Sequence, residues 1–254
     1  MFYMSRATTI QEVINQLDSI IENAIITNNR LGLFAYVYRR TTAEILKEVQ
    51  RGGFENNELL EQLDVAFANL YLEAYELHQN NAPISKSWLF AFTHKDESLT
   101  ILQHIMMGMN THINLDLAIA TSNVMEGKDI QMVKNDFDKV NAILFSIVNE
   151  VQDRLSRVSP MLFLLDMAGQ NSDEKVIDFS MRKARQQSWY HANLLWSLGQ
   201  DHQPEAVNTL DNVILGISKF IKSPKSRLIR FSLKTIGRFE SKDVGRIISK
   251  LKAD

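Results

Sequence analysis

The chain has 254 residues, 45% of them apolar and 23% charged, an ordinary globular balance with enough chain for a sizeable core. It contains no cysteine, which excludes disulfides, a thiol nucleophile and thiolate metal sites and removes any argument for an oxidising compartment. The start, MFYMSRATT, carries no apolar stretch of signal-peptide length. The longest apolar runs, 33–38 and 161–165, fall far short of the roughly 18 residues that cross a bilayer, so the expectation is a cytoplasmic chain with no transmembrane segment.

Ten glycines and four prolines leave few breakers, so long helices are expected. Thr9 and Glu12 read as a capping box opening a helix, with Ile10, Val13, Ile14, Leu17, Ile20, Ile21, Ala24 and Ile25 on one stripe and a stop at Asn28-Asn29. Residues 31–40 have strand-like content but no second strand to pair with, and read as helix. Thr41 and Glu44 read as a second capping box whose helix ends at Gly52-Gly53. Helices follow at 57–79, 85–92, 98–125, 129–158, 160–168, 172–198, 204–221, 226–239 and 241–251. No repeat or low-complexity linker divides them. The expected fold is all-α: one bundle of about ten helices, spanning 1–254 as a single domain, around a central buried helix at 98–125.

Charge is segregated. Residues 219–254 hold eleven Lys or Arg against three acids, a surplus of eight, whereas 1–218 hold 17 bases against 27 acids, a net of −10. From about 222 to 254 the chain reads as a basic helical extension. Ile229, Leu233 and Ile236 form an apolar strip there, with Leu228 and Phe231 at its edge. No duplex-binding motif is recognisable. An anionic membrane is one fit, and packing of the strip on the acidic body is the reading preferred here.

The helix at 98–125 is apolar all round yet contains GMNTHINLDL. Four residues apart on a helix is about 40° round its axis, so His112 and Asp116 share one face, while Asn110 and Asn114 pair on the opposite one. Polar groups in such a place need partners from neighbouring helices, since a buried unpaired one costs about 1–3 kcal/mol. Gly108, a turn before His112, suggests close approach of another backbone or a ligand. His-x-x-x-Asp is also a metal-ligand spacing, which makes His112 and Asp116 the metal candidates. The run partly resembles the ligand segment of helical zinc-dependent phospholipases C and single-strand nucleases, but the further histidine that follows there has no counterpart between Ala118 and Asn123. No cofactor is required by the sequence, and a divalent ion is the metal reading.

Taken together, the segments resemble an uncharacterised family of all-helical bacterial proteins found largely in soil bacteria and the Bacteroidetes. GMNTHINLDL is the best marker: the family reads Gly-Met-Asn-Ala-His-Ile-Asn-x-Asp-Leu, and Thr111 replaces the alanine. Further matches are YRRTT with Arg39 and Thr41, LDVAFANLY with Asp64, Phe67 and Tyr71, Trp88 of SKSWLFAF, DFDKVNAIL with Asp136 and Asn141, and RQQSW with Arg185 and Trp189. The resemblance runs over about 31–189 and implies an all-α fold without assigning an activity.

Two functional readings follow. In the preferred one the chain is a non-catalytic helical module whose buried cluster around His112 and Asp116 fixes helix register. In the other it is a hydrolase-like enzyme or a small-molecule-binding protein. His112 is then base or ligand and Asp116 its orienter, with Asn110, Asn114, Arg39, Asp64, Trp88, Asp136 and Arg185 as binding candidates. Arg39 and Arg185 are the cations expected to answer Asp116 and either Asp64 or Asp136. A pocket at His112 would favour the second reading. Nucleophile-elbow, P-loop and dinucleotide motifs are absent from the sequence.

Overall fold

The computed structural model describes residues 5–159, 161, 162, 164, 165 and 181–252, and for 145–153, 181 and 182 the helix path alone. Eleven α-helices and no strand occur among the described residues: α1 Ile10–Ile26, α2 Leu31–Gln50, α3 Asn57–Gln79, α4 Lys86–Thr93, α5 Ile101–Thr111, α6 Leu117–Val124, α7 Lys134–Val158, α8 Met181–Leu198, α9 Gln203–Lys222, α10 Arg227–Phe239 and α11 Val244–Lys252. A π-helical turn, His112–Asp116, joins α5 to α6, and a 3-10 turn, Ile130–Val133, leads into α7. The fold is all-α, as expected. Of the helix expected at 160–168 only residues 161, 162, 164 and 165 are described, and the start of the one at 172–198 lies outside the described residues.

Local chemistry explains most boundaries. Thr9 caps α1 by accepting from the Glu12 N–H, while the Glu12 carboxylate turns to the N–H and hydroxyl of Thr8 at 2.7 and 2.8 Å. Asn28 and Asn81 end α1 and α3 in the left-handed region, and Gly52 does the same after α2. The second capping box does not form. α2 runs unbroken through Thr41, whose hydroxyl donates to the Tyr38 carbonyl at 2.7 Å, as does Thr42 at 3.0 Å. A threonine caps only where the preceding backbone leaves the helix, and nothing between Tyr38 and Thr41 makes it leave.

The long helix at 98–125 is shorter and interrupted. It begins after Thr100, which with Gln103 makes a reciprocal capping box, and its register shifts at the π turn, where the Leu117 N–H reaches the His112 carbonyl. Helices α2, α3, α4, α8 and α9 pack around this α5–α6 axis. Their contact is a continuous apolar core in which Leu33, Tyr71, Tyr75, Trp88, Ile105, Met107 and Leu115 are almost fully enclosed. Gly108 admits a side chain here: a Cβ on it would lie 2.5 Å from the Phe34 ring. What approaches Gly108 is the Phe34 ring from α2, where a backbone or a ligand was the expectation.

The two C-terminal helices pack by their apolar strips. α11 buries Val244, Ile247, Ile248 and Leu251 against α7, α1 and α2, and the Leu251 carbonyl accepts the Tyr36 hydroxyl at 2.9 Å. α10 buries Ile229, Leu233 and Ile236 beside Leu165 and Leu102. Glu240, just after α10, accepts the Ile101 N–H at 2.8 Å and the Ser159 hydroxyl, which ties the extension to the start of α5.

Candidate functional site

The π turn sets the geometry. With His112 and Asp116 at its two ends, His112 Nδ1 lies 2.9 Å from Asp116 Oδ2, and the same oxygen accepts the Trp88 indole N–H at 3.0 Å. Trp88 is delivered by α4, whose N-terminus is held from α9. Asp211 accepts the Lys86 and Ser87 N–H groups at 2.7 and 3.0 Å and the Ser87 hydroxyl at 2.5 Å. A chain of polar contacts therefore runs from Asp211 through α4 to Trp88, Asp116 and His112. Asp116 was expected to need an arginine. It receives an indole and an imidazole instead, because Trp88 can reach it from within the core without bringing a second charge.

Around the imidazole the walls are aromatic. The Phe67 ring stacks on His112 at 3.7 Å between centroids, and Tyr38 meets it edge-on at 4.4 Å, with Phe34, Tyr71 and Trp88 within about 6 Å. Burial in this shell pushes the His112 imidazole well below its ordinary value. It pushes Asp116 well above the carboxylate range against the opposing Trp88 bond. The pair is driven toward zero net charge. The proton between Nδ1 and Oδ2 can stand on either atom, and with it on Asp116 the proton of a neutral ring stands on Nε2. Nε2 itself is buried and has no hydrogen-bond partner among the described residues.

His112 forms part of the wall of a cavity with about 70 Å³ of free space, bounded by α2, α3, α5, α7 and α8. Phe34, Val37, Tyr38, Phe67, Met109 and Phe137 make it largely apolar, and Asp64 and Arg185 also line it. Asp64 is 6% exposed, and its Oδ2 has no hydrogen-bond partner among the described residues. Burial raises its carboxyl to about 7, with Arg185 opposing and Glu61 reinforcing the shift. Arg185, itself buried, donates from Nε to Asn141 Oδ1 at 2.5 Å and from Nη2 to the Phe137 carbonyl at 2.8 Å, and lies 4.3 Å from the Phe137 ring centroid. Burial lowers it to about 10, with Asp64 opposing. Asp64 and Arg185 feel each other electrostatically, yet no ion pair forms between them.

Of the residues singled out from the sequence, the structure brings His112, Asp116, Trp88, Asp64 and Arg185 to this place. The others go elsewhere. Arg39 makes a two-pronged, half-exposed ion pair with Asp18 at 2.9 and 3.1 Å and does not line the cavity. Asp136 accepts the Glu55 and Asn56 N–H groups at 2.7 and 2.8 Å and so fixes the turn into α3. Asn110 donates to the Ile214 carbonyl and to Ser218 on α9, and Asn114 donates back to Asn110, so both serve packing on the far face of the π turn. His104 faces Arg30 at 3.2 Å, and burial lowers it to about 4. Among the described residues no three His, Asp or Glu side chains gather as metal ligands. Tyr38, which meets the imidazole edge-on and lines the cavity, and Asp211 were missed from the sequence. An aromatic in an apolar run and an acid mid-helix give no signal of either role.

A model for a family of unknown function, DUF5995, matches residues 10–224. The chain belongs to this family. The match spans the whole cavity and the π turn and stops before α10, and the family carries no assigned activity. No curated protein and no solved structure matches the chain.

Proposed function

We propose that this member of the family is a small-molecule-binding protein whose ligand lodges in the cavity beside His112. The ligand would place an apolar body against Phe34, Phe67 and Met109 and an oxygen-bearing head, carbonyl or carboxylate, toward His112 Nε2 and Arg185. One observation carries the reading: a buried imidazole edge without a partner, on the wall of an apolar cavity that also holds an unpaired carboxyl and a guanidinium. Leaving a buried polar group unanswered costs about 1–3 kcal/mol, and a ligand acceptor would recover it. A closed packing cluster, the reading preferred from sequence, has no use for that arrangement. The absence of cysteine and of any helix among the described residues long and apolar enough to cross a membrane favours the cytoplasm as the place of action.

A second reading rests on Asp64. A carboxyl near 7 exchanges a proton readily at neutral pH, and in the tautomer whose proton stands on Nδ1, held by Asp116, His112 would offer an unprotonated Nε2 as the base for hydrolysis of a carbonyl-bearing ligand. The test is a set of small aryl and alkyl carboxylates, ketones and esters, followed by thermal melting and by the nitrogen resonances of His112. The binding reading expects members of the set to raise the melting temperature and shift Nε2, and both effects to vanish in His112→Phe. If none moves Nε2 or the melting temperature, the cluster is packing alone. Ester turnover lost in both His112→Phe and Asp64→Asn would establish the enzyme reading.

A further inference from the structure

The basic extension does not meet the acidic body through its charges. Of the eleven Lys and Arg from residue 219 onward, Lys222 alone makes an ion pair among the described residues, with Glu97 at 2.8 Å. Arg230 spends its guanidinium on the Pro224 and Lys225 carbonyls. What α10 turns inward is its strip of Ile229, Leu233 and Ile236, and its outer face is left as a second amphipathic surface.

At 100° per residue, Leu228, Phe231 and Phe239 fall in one band of that outer face, and Arg227, Lys234 and Arg238 run along its edge. The three apolar side chains are 47%, 69% and 65% exposed, unusual for two phenylalanines on one short helix. Residues 219–239 contain no acid at all, whereas residues 1–218 carry a net charge of −10. The side chains of Arg227, Lys234 and Arg238 have no hydrogen bond or ion pair among the described residues. The basic side chains of α10 thus border a band of aromatic and aliphatic side chains at the surface.

We infer that the outer face of α10 is a docking surface for an anionic lipid bilayer. Phe231, Phe239 and Leu228 would enter the headgroup boundary, and Arg227, Lys234 and Arg238 would lie over acidic headgroups. An acidic protein surface would answer the charge but would need an apolar groove matched to this band, which a bilayer offers without matching, and a nucleic acid would leave Leu228 without a contact. The acidic body, repelled by the same bilayer, would set the orientation. This surface is independent of the cavity beside His112.

The experiment is co-sedimentation of the full chain with vesicles of phosphatidylcholine, alone or mixed with phosphatidylserine, at low and high salt. Binding is expected only with phosphatidylserine and should weaken strongly as salt rises. Each neutralised charge should weaken it about fivefold, so Arg227→Gln, Lys234→Gln and Arg238→Gln together should cost about a hundredfold. Phe231→Ser with Phe239→Ser should abolish it at unchanged melting temperature, since neither ring is part of the core. No binding by the folded wild type, or equal binding by the phenylalanine variant, would overturn the inference. So would a single-stranded oligonucleotide that binds more tightly than the vesicles, or a dimer in sedimentation velocity that Phe231→Ser dissolves.

Discussion

Asp64 shows how burial decides the state of a single residue. Its carboxyl lies beside a guanidinium but does not touch it, so the loss of solvation outweighs the attraction and the proton is held up to about pH 7. The folded value is raised above that of the unfolded chain, so the folded state binds more protons than the unfolded one between about pH 4 and 7, and stability falls as pH rises through that window. Asp64→Asn is expected to remove this fall. At pH 8 the variant should be more stable than the wild type by an amount on the order of 3 kcal/mol, with the gap closing near pH 4, as read from denaturant midpoints. Asp116 makes a second case. Its partners are Trp88 and His112, so Asp116→Ala strands a buried indole N–H and opens a small void, at a cost of about 2–3 kcal/mol. Asp116→Asn keeps an acceptor for the indole and should cost about half as much by the same measurement.

At the scale of elements, the site depends on contacts that do not touch it. Gly108 lets Phe34 lie against α5, and Phe34 in turn packs on His112 and Trp88. Gly108→Ala should gain about 1 kcal/mol of helix propensity and lose more, about 1–3 kcal/mol, by overpacking. A lowered melting temperature together with a shifted His112 resonance would show that the Phe34 ring had moved. Asp136 plays a similar part for α3, which carries Asp64 and Phe67. Asp136→Ala leaves the Glu55 and Asn56 N–H groups without their acceptor, and a loss of about 1–2 kcal/mol in chemical unfolding is expected.

On the scale of the whole molecule, the family match ends at residue 224, but the packing does not. α11 lies against α7, α1 and α2, and Glu240 caps the start of α5, the helix that leads into the π turn. Removing residues from Ser226 onward should expose the surfaces that Ile229, Ile236, Ile247 and Ile248 cover and take away the Tyr36 and Ile101 hydrogen bonds. We expect a truncated chain with a lower melting temperature and poorer solubility, the behaviour of one cooperative domain. A truncated protein that melts with the full chain would make the extension a separate unit.

The sequence by itself determined the all-α class, most helix positions and the pairing of His112 with Asp116. Each of these rests on local rules: breaker scarcity, the 3.6-residue period, and i, i+4 proximity on a helix. It misplaced Arg39, Asp136 and the second capping box, because a side chain's partner across the bundle has no imprint at its own position. Arg39 found Asp18 on α1, a contact no spacing along the chain encodes. Only the tertiary structure decided that Trp88 answers Asp116, that Asp64 and Arg185 share a cavity without touching, and that the basic helix hides its apolar strip while leaving its phenylalanines in solvent. Those outcomes depend on which faces the helices turn to one another, and that is settled by packing the whole core at once.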